Sequence, residues 1–137
     1  MTGSQRIVVD SNVLISRLLL PDSIPGQAVR KAVDTGQLLV SDAMLEELAS
    51  VLSRPKFDPY ITIGDRQEFL RLLGRVAERI PIIYTVHACR DSKDNMILEV
   101  AVNGSADLIV TGDGDLLTLG TFHAIPVITP ASYIRMQ

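Results

Sequence analysis

The sequence predicts a three-layer α/β/α sandwich around a central, mostly parallel sheet, in a single domain that spans residues 1–137. Short apolar runs rich in branched residues alternate with segments of helical period, as expected where helices cover both faces of a parallel sheet. The 137 residues, of which 47% are apolar and 21% charged, suit one globular domain with a sizeable core. One compact unit is therefore expected.

Five apolar runs are predicted to form buried strands. In chain order they are RIVVD, QLLVS, PIIYTV, DLIVTGD and IPVITP. Helical periodicity marks the segments between them, and the predicted helices run over Ala28 to Val33, Ala43 to Leu52, Gln67 to Arg79 and Met96 to Asn103. Gly36 is predicted to end the first helix, and Thr129 with Pro130 to open one more near the end of the chain.

The third predicted helix separates apolar from basic residues. Its apolar residues recur at helical spacing, and the arginines fall mainly on the opposite side. This pattern favours a solvent-facing basic surface over a stripe that binds RNA. The arginines concerned are Arg66, Arg71, Arg75 and Arg79.

Composition argues against several classes of protein. No apolar run reaches membrane-spanning length, because IVVDSNVLISRLLL is interrupted by Asp10, Asn12 and Arg17. The opening MTGSQR lacks the long apolar segment of a secretory signal, and a single Cys89 forms no internal disulfide, which suits the reducing cytoplasm. The net charge of −3 argues against a broadly positive surface for nucleic acid, although acids gathered at a metal site would themselves lower the charge. A cytoplasmic protein without a membrane segment is expected.

Acidic residues follow two predicted strands at their carboxyl ends. Asp10 follows IVV and Asp113 follows LIVTG, so a parallel sheet would bring both to one edge, where ligands collect. Asp94 precedes the apolar helix MILEVAV and Asp91 lies three residues earlier. Either can cap this helix while the other faces the cleft. On the second helix, Glu47 is placed to point inward beside the core-facing stripe.

Taken singly, each of these acids has an ordinary explanation as a cap, a turn residue or a solvent-facing side chain. Together they predict a metal site, because a buried carboxylate is costly and a second acid beside it raises that cost. At least one of the carboxyl groups is therefore expected to have a raised pKa in the metal-free protein. A divalent cation would bind their oxygens and remove the conflict, whereas the lack of a Cys/His cluster disfavours structural zinc.

Four segments resemble, in order, the motifs of PIN-domain proteins of the VapC-like toxin group. They are VVDSNVLIS, SDAMLEELASVLSRPKF, RDSKDNMILEVAV and ADLIVTGDGDLL. The similarity spans the chain from Arg6 to about Tyr133. It implies that the family's metal-binding acids fall on Asp10, Glu47, Asp94 and Asp113. It also implies supporting roles for Asn12 and Thr111, and an additional acidic ligand at Asp115.

The resemblance implies an endoribonuclease that depends on Mg²⁺ or Mn²⁺ and hydrolyses RNA phosphodiester bonds. It further implies a toxin of a toxin–antitoxin pair, with a cognate antitoxin protein as partner and a homodimer as assembly. Two points stay open from the residues: whether one or two metal ions bind, and whether Glu46 or Glu47 is the helix ligand. The match to an acid followed directly by leucine favours Glu47.

Other classes of protein were weighed against this interpretation. A haloacid-dehalogenase-like phosphatase needs a second Asp two residues after the first, where this chain has Asn12. A response-regulator receiver needs a Lys at the end of the last strand, which here reads VITP. The main alternative is a non-catalytic PIN-like module that binds RNA or a protein. The presence of all four acids favours the enzyme.

Overall fold

The computed structural model describes residues 4–136, so residues 1–3 and 137 of the predicted domain lie outside the described part. Its strands are β1 (Gln5–Val9), β2 (Gly36–Val40), β3 (Glu78–Arg79), β4 (Leu108–Val110), β5 (Thr121–Phe122) and β6 (Ile125–Ile128). They form one six-stranded sheet in the order β3-β2-β1-β4-β6-β5. Neighbouring strands pair in parallel, except that β5 pairs antiparallel with β6. The predicted mostly parallel α/β sheet is confirmed.

Helices cover both faces of this sheet. They are α1 (Ser11–Leu19), α2 (Ile24–Thr35), α3 (Asp42–Leu52), α4 (Ile63–Val76), α5 (Ser92–Asn103), α6 (Gly114–Thr118) and α7 (Pro130–Arg135). Alternate residues of β1 enter two separate cores, with Ile7 and Val9 in one and Val8 in the other, as the pleat of a strand requires. Among residues 4–136, no helix combines the length and apolar character needed to cross a membrane.

Side-chain caps set where the helices begin. Ser and Thr oxygens accept backbone N–H groups at the start of α2, α3, α4 and α7. Aspartates do so at the start of α1, α5 and α6, and these are Asp10, Asp91 and Asp113. Three helices therefore begin at acids that the sequence marks as candidates for a metal site or, for Asp91, also for a helix cap.

One predicted strand is wrong, and one helix was not predicted. PIIYTV lies outside any strand, and β3 is the short Glu78–Arg79 segment just before it. Hydrogen bonds from α5 hold the misassigned segment instead, because Asn103 Oδ1 accepts the amides of Ile83 and Tyr84 at 2.9 Å each. The apolar run after β1 forms α1, which the strand and helix alternation did not identify.

The prediction of a solvent-facing arginine surface is wrong for Arg66, whereas Arg79 is exposed as predicted but lies outside the helix. Helix α4 begins at Ile63, and Arg79 belongs to β3. Arg66 is only 7% exposed, because its guanidinium serves as a donor to groups outside its own helix. It donates to the carbonyls of Leu52 and Ile61 and to the carboxylate of Asp58, at 3.0, 2.8 and 2.8 Å respectively.

Candidate metal centre

Asp10 and Asp113 emerge at the carboxyl ends of neighbouring strands. β1 and β4 pair in parallel, with Val9 opposite Val110, and the amide of Asp10 donates to the carbonyl of Val110 at 3.0 Å. The buried hydroxyl of Thr111 connects the two acids. It donates to Asp10 Oδ2 at 2.7 Å and accepts the amide of Asp113 at 2.9 Å. Thr111 thus fixes both the first acid and the backbone that carries the second.

Both strand-end acids are also held by the helices that follow them. Asp10 Oδ1 accepts the backbone amide of Asn12 at 3.3 Å, and Asp113 Oδ2 accepts the amide of Leu116 at 3.2 Å. The contact that steadies Asp10 thus comes from the backbone of Asn12. Because helix N-termini favour negative charge, these caps orient the carboxylates and offset part of their repulsion.

Asp94 is the most buried acid of the site, at 8% exposed. Asp91 caps α5 by accepting the amide of Lys93 at 2.9 Å, so of the two acids in this motif Asp94 faces the interior. Burial raises the pKa of Asp94 to about 7, helped by a hydrogen bond with Asp113 and by the charges of Asp113, Asp91 and Asp10. The expectation that at least one carboxyl pKa is raised is confirmed.

Three carboxylates form a compact group. Asp94, Asp113 and Asp115 each offer one oxygen, and these oxygens lie within 4.8 Å of one another. Oxygen ligands lie at about 2.0–2.6 Å from Mg²⁺ or Ca²⁺, so two ligands of one ion lie within roughly 5 Å of each other. The group therefore has the donor atoms and the spacing for a hard divalent cation. Within the described residues, Asp10 and Glu47 do not join this group of mutually close oxygens.

Asp10 and Glu47 nevertheless face the same cleft. A cavity of about 310 Å³ is lined by Asp10, Glu47, Asp94 and Asp113 together with residues of α1, α3 and α5. The Glu47 side chain is 18% exposed and lies 3.9 Å from the ammonium of Lys93. Glu46 is exposed and does not line the cavity. Of the two adjacent acids, Glu47 is thus the one that faces the metal centre.

A second cavity, of about 380 Å³, is also lined by Asp10 and Asp113. Its lining includes Gly112 and Gly114, and a Cβ added at either glycine would meet no atom within 4 Å. Asp10 and Asp113 therefore border both cavities. Such a groove can accept an extended substrate that passes across them.

Sequence reasoning missed three cationic residues of the first cavity. Arg54 and Lys56 line it from the connection after α3, and Lys93 from the start of α5. All three lie inside the second and third motifs, in SRPKF and RDSKD. A search for basic residues within a few positions of the acidic motifs would have found them.

Comparisons with known proteins agree with the geometry. The model of the PIN domain family matches residues 6–115, a range that includes every candidate acid. The uncharacterized protein MJ1680 of Methanocaldococcus jannaschii is 31% identical over 118 residues, which cover 83% of this chain and 74% of that protein.

Two solved structures share the fold. One is VapBC2 from Rickettsia felis bound to a DNA fragment from their promoter, with a TM-score of 0.63 and 11% identity, covering 91% of this chain and 98% of the matched chain. The other is the PIN domain endonuclease Utp24, with a TM-score of 0.55 and 17% identity, covering 90% of this chain and 84% of that chain. With the family model and the M. jannaschii relative, they confirm the resemblance seen in the sequence: the chain belongs to the PIN-domain family and has a VapC-like fold.

Proposed function

We propose that this protein is a cytoplasmic endoribonuclease that uses Mg²⁺ or Mn²⁺ to hydrolyse RNA phosphodiester bonds. The observation that carries the proposal is the packing of Asp94, Asp113 and Asp115, whose oxygens lie within 4.8 Å of one another. Like charges held this close together cost stability unless a cation joins them, above all where one of them, Asp94, is buried. Membership of the PIN-domain family and the shared fold with the endonuclease Utp24 support the same activity.

The donor set fits the proposed metal ion. All candidate ligands are carboxylate oxygens, which suit Mg²⁺ and Mn²⁺, and no thiol or imidazole joins the group in the described residues. Asp94, Asp113 and Asp115 would hold the ion, with Asp10 and Glu47 facing it from the same cleft. When bound, such an ion would acidify a coordinated water and polarise the scissile phosphate.

The protein groups around the site have separable tasks in this proposal. Thr111 orients Asp10 through its hydroxyl and fixes the backbone of Asp113. Asp94 is partly protonated near neutral pH in the metal-free site, because its pKa is raised to about 7. Ligation requires the ionised form, so Asp94 would release that proton as the ion binds. Metal affinity is therefore expected to rise between about pH 6 and pH 8.

The toxin role rests on the neighbour in the VapBC2 complex and on the resemblance in the four motifs. On this proposal, a cognate antitoxin protein covers the cleft and the toxin forms a homodimer. The two cavities that share Asp10 and Asp113 suit a polymer substrate that crosses the acids. The bond that is cut then lies where the two cavities meet.

Cleavage of single-stranded RNA by the purified protein tests the proposal. We expect cleavage with Mg²⁺ or Mn²⁺ and none with chelator, and Asp10→Asn should reduce it at least ~100-fold, as the loss of one preorganised charged group does elsewhere. Glu47→Gln and Glu46→Gln form a matched pair, because they remove neighbouring charges and only Glu47 lines the cleft. Glu47→Gln should impair cleavage and Glu46→Gln should not.

Two outcomes would reject the proposal. If Asp10→Asn cleaves as fast as the wild type, the activity belongs to another site or to a contaminant. If the wild type binds RNA without cutting it in either divalent ion, the protein is the non-catalytic binding module that the sequence left as its alternative.

A further inference from the structure

Two cations face the acidic cleft from the short connection between α3 and α4. Arg54 is the residue just before a 3₁₀ turn, Pro55–Phe57, which contains Lys56. Both line the cavity that also contains Asp10 and Asp94. We call this pair, Arg54 and Lys56, the basic wall.

The basic wall does not neutralise the acids that it faces. Within residues 4–136, no carboxylate oxygen lies within 4.0 Å of either side-chain cation, and neither side chain donates a hydrogen bond. The third cation of the cleft differs, because Lys93 lies 3.9 Å from Glu47. Lys56 Nζ lies over the Phe57 ring, 5.1 Å from its centroid, a contact that uses none of its N–H donors in a hydrogen bond. Arg54 and Lys56 thus line the cavity with donors that are available to an anion.

The connection that carries the basic wall is fixed at both ends. Arg66 donates to the carbonyl of Leu52 before it and to the carbonyl of Ile61 after it, at 3.0 and 2.8 Å. Phe57 is half-buried and packs against the core, and its amide donates to the carbonyl of Arg54 at 3.1 Å. Less conformational entropy is then lost when a ligand binds, because the backbone beneath both cations is already held in place.

The charge balance of the molecule makes such a wall necessary. With a net charge of −3 and several acids at the centre of the cleft, long-range attraction for RNA is weak, so affinity has to come from local cations. Phosphate contacts position a nucleic acid and carry no sequence information themselves. Cations at the rim can hold the backbone on one side of the acids while the acids act on the next phosphate.

We infer that Arg54 and Lys56 bind the backbone phosphates of single-stranded RNA beside the bond that is cut. The inference rests on the proposed function for the identity of the polymer. On this inference the basic wall at the 3₁₀ turn contributes affinity for RNA, and the carboxylates carry out the cleavage reaction.

Salt-dependent binding of a fluorescein-labelled single-stranded RNA, measured by anisotropy in chelator, tests this inference. Arg54→Gln and Lys56→Gln should each weaken binding about 10-fold, the loss expected for one charge-assisted hydrogen bond. Each should also lower the slope of log affinity against log salt by ~0.7, and the double variant by ~1.4. Arg54→Lys keeps the charge and should restore most of that slope.

Arg75→Gln is the matched control, because Arg75 is exposed on α4 and does not line the cleft. If the basic-wall variants bind RNA with the affinity and salt slope of Arg75→Gln, the inference is overturned. Cleavage with Mn²⁺ separates this failure from failure of the proposed function. The wall variants should raise KM and leave kcat nearly unchanged, whereas a wild type that never cleaves overturns the nuclease proposal and leaves the binding result to be judged separately.

Discussion

The two ends of the central sheet differ in whether their charged side chains are paired with groups of opposite charge. Near the amino end of β1, the charged groups of Arg6, Glu78 and Asp107 all have partners. Arg6 donates to both carboxylate oxygens of Glu78 at 3.0 and 3.1 Å and to the carbonyl of Gly104 at 2.9 Å. Asp107 accepts the amide of Arg6 at 2.7 Å. We call this end the paired edge.

At the carboxyl end, Glu47 has Lys93 at 3.9 Å, but the other acids of the cleft gather without a counter-ion. Within the described part of the chain, no Lys, Arg or His nitrogen lies within 4.0 Å of Asp10, Asp94 or Asp113. The pKa of Asp94 is raised to about 7 as a result of burial and its acidic neighbours. The difference indicates that charges at the paired edge stabilise the fold, whereas those at the carboxyl edge cost stability and are retained for binding. The following predictions test that separation.

The largest expected effect is a loss of metal-free stability as pH rises. The Asp94 carboxyl has a folded pKa of about 7 against an ordinary value of 3.8. Because the folded state holds the extra proton, the free energy of unfolding should fall across that window, by on the order of a few kcal/mol. Asp94→Asn removes the titrating group, so its urea-unfolding free energy in chelator should vary less with pH and exceed that of the wild type at about pH 8.

Other acids titrate in the same range, so the informative quantity is the difference between the two proteins at each pH. Glu68 and Glu78 have lowered pKa values, because of their hydrogen bonds to Arg71 and Arg6, and contribute the opposite slope to both proteins alike. A difference that stays constant from about pH 4 to pH 8 would show that the carboxyl edge carries no net repulsion at Asp94.

Metal binding should offset the loss of stability that the clustered acids cause. An ion that binds only the folded protein contributes about 2.7 kcal/mol when its free concentration is 100 times Kd. Thermal melts in chelator and then in millimolar Mn²⁺ should show this gain for the wild type and for Glu78→Gln at the paired edge. Asp94→Asn and Asp113→Asn should gain much less. Equal gains in all four proteins would place the ion outside the carboxyl edge.

Thr111→Val should cost about 1–2 kcal/mol of stability, because a buried hydroxyl that makes two hydrogen bonds is lost. Those bonds join Asp10 Oδ2 at 2.7 Å and the amide of Asp113 at 2.9 Å, so RNA cleavage should fall as well. Thr111→Ser keeps the hydroxyl and should restore most of both properties. If the valine variant retains full stability and cleavage, Thr111 does not position the acids.

Some of the fold and site could be predicted because the relevant signals are local. Buried strands that end in Asp10 and Asp113 can be identified from short apolar runs, and parallel pairing then brings both acids to one edge. The match to an acid followed directly by leucine, with which helical phase agrees, was enough to favour Glu47 over Glu46, and Glu47 is the one that lines the cleft. The sequence predicts that the acids repel one another and that at least one carboxyl pKa is raised. It does not predict that this carboxyl belongs to Asp94, because the answer depends on how deeply each group is buried.

The predictions that failed depend on contacts between distant parts of the chain. PIIYTV has the composition of a strand, but hydrogen bonds from Asn103 on α5 hold its backbone away from the sheet. Arg66 looks like a surface residue until the carbonyls of Leu52 and Ile61 are brought beside it. The apolar run of α1 continues directly from β1, and such a run does not distinguish a longer strand from a buried helix.

The smallest expected effect lies at the paired edge, where Glu78→Gln removes the ion pair with Arg6. Their atoms are 3.0 Å apart, but the two side chains are 32% and 46% exposed, and exposed pairs contribute about 0–1 kcal/mol. The hydrogen bond from Arg6 lowers the pKa of Glu78, so this contribution is present near neutral pH and is lost as pH falls through the folded value.

Lowering the pH should therefore erase the difference in unfolding free energy between the wild type and Glu78→Gln. For Asp94→Asn, the same change in pH should stabilise the wild type relative to the variant. High salt should shrink the Glu78 effect further, because the Debye length is only about 3 Å at 1 M. RNA cleavage should be unaffected. Urea unfolding at about pH 4 and pH 7, in low and high salt, measures the first two expectations, and the cleavage assay measures the third. A Glu78→Gln protein that unfolds normally but cleaves slowly would mean that the paired edge supports the carboxyl edge through the sheet, and the separation between stabilising and binding charges would have to be abandoned.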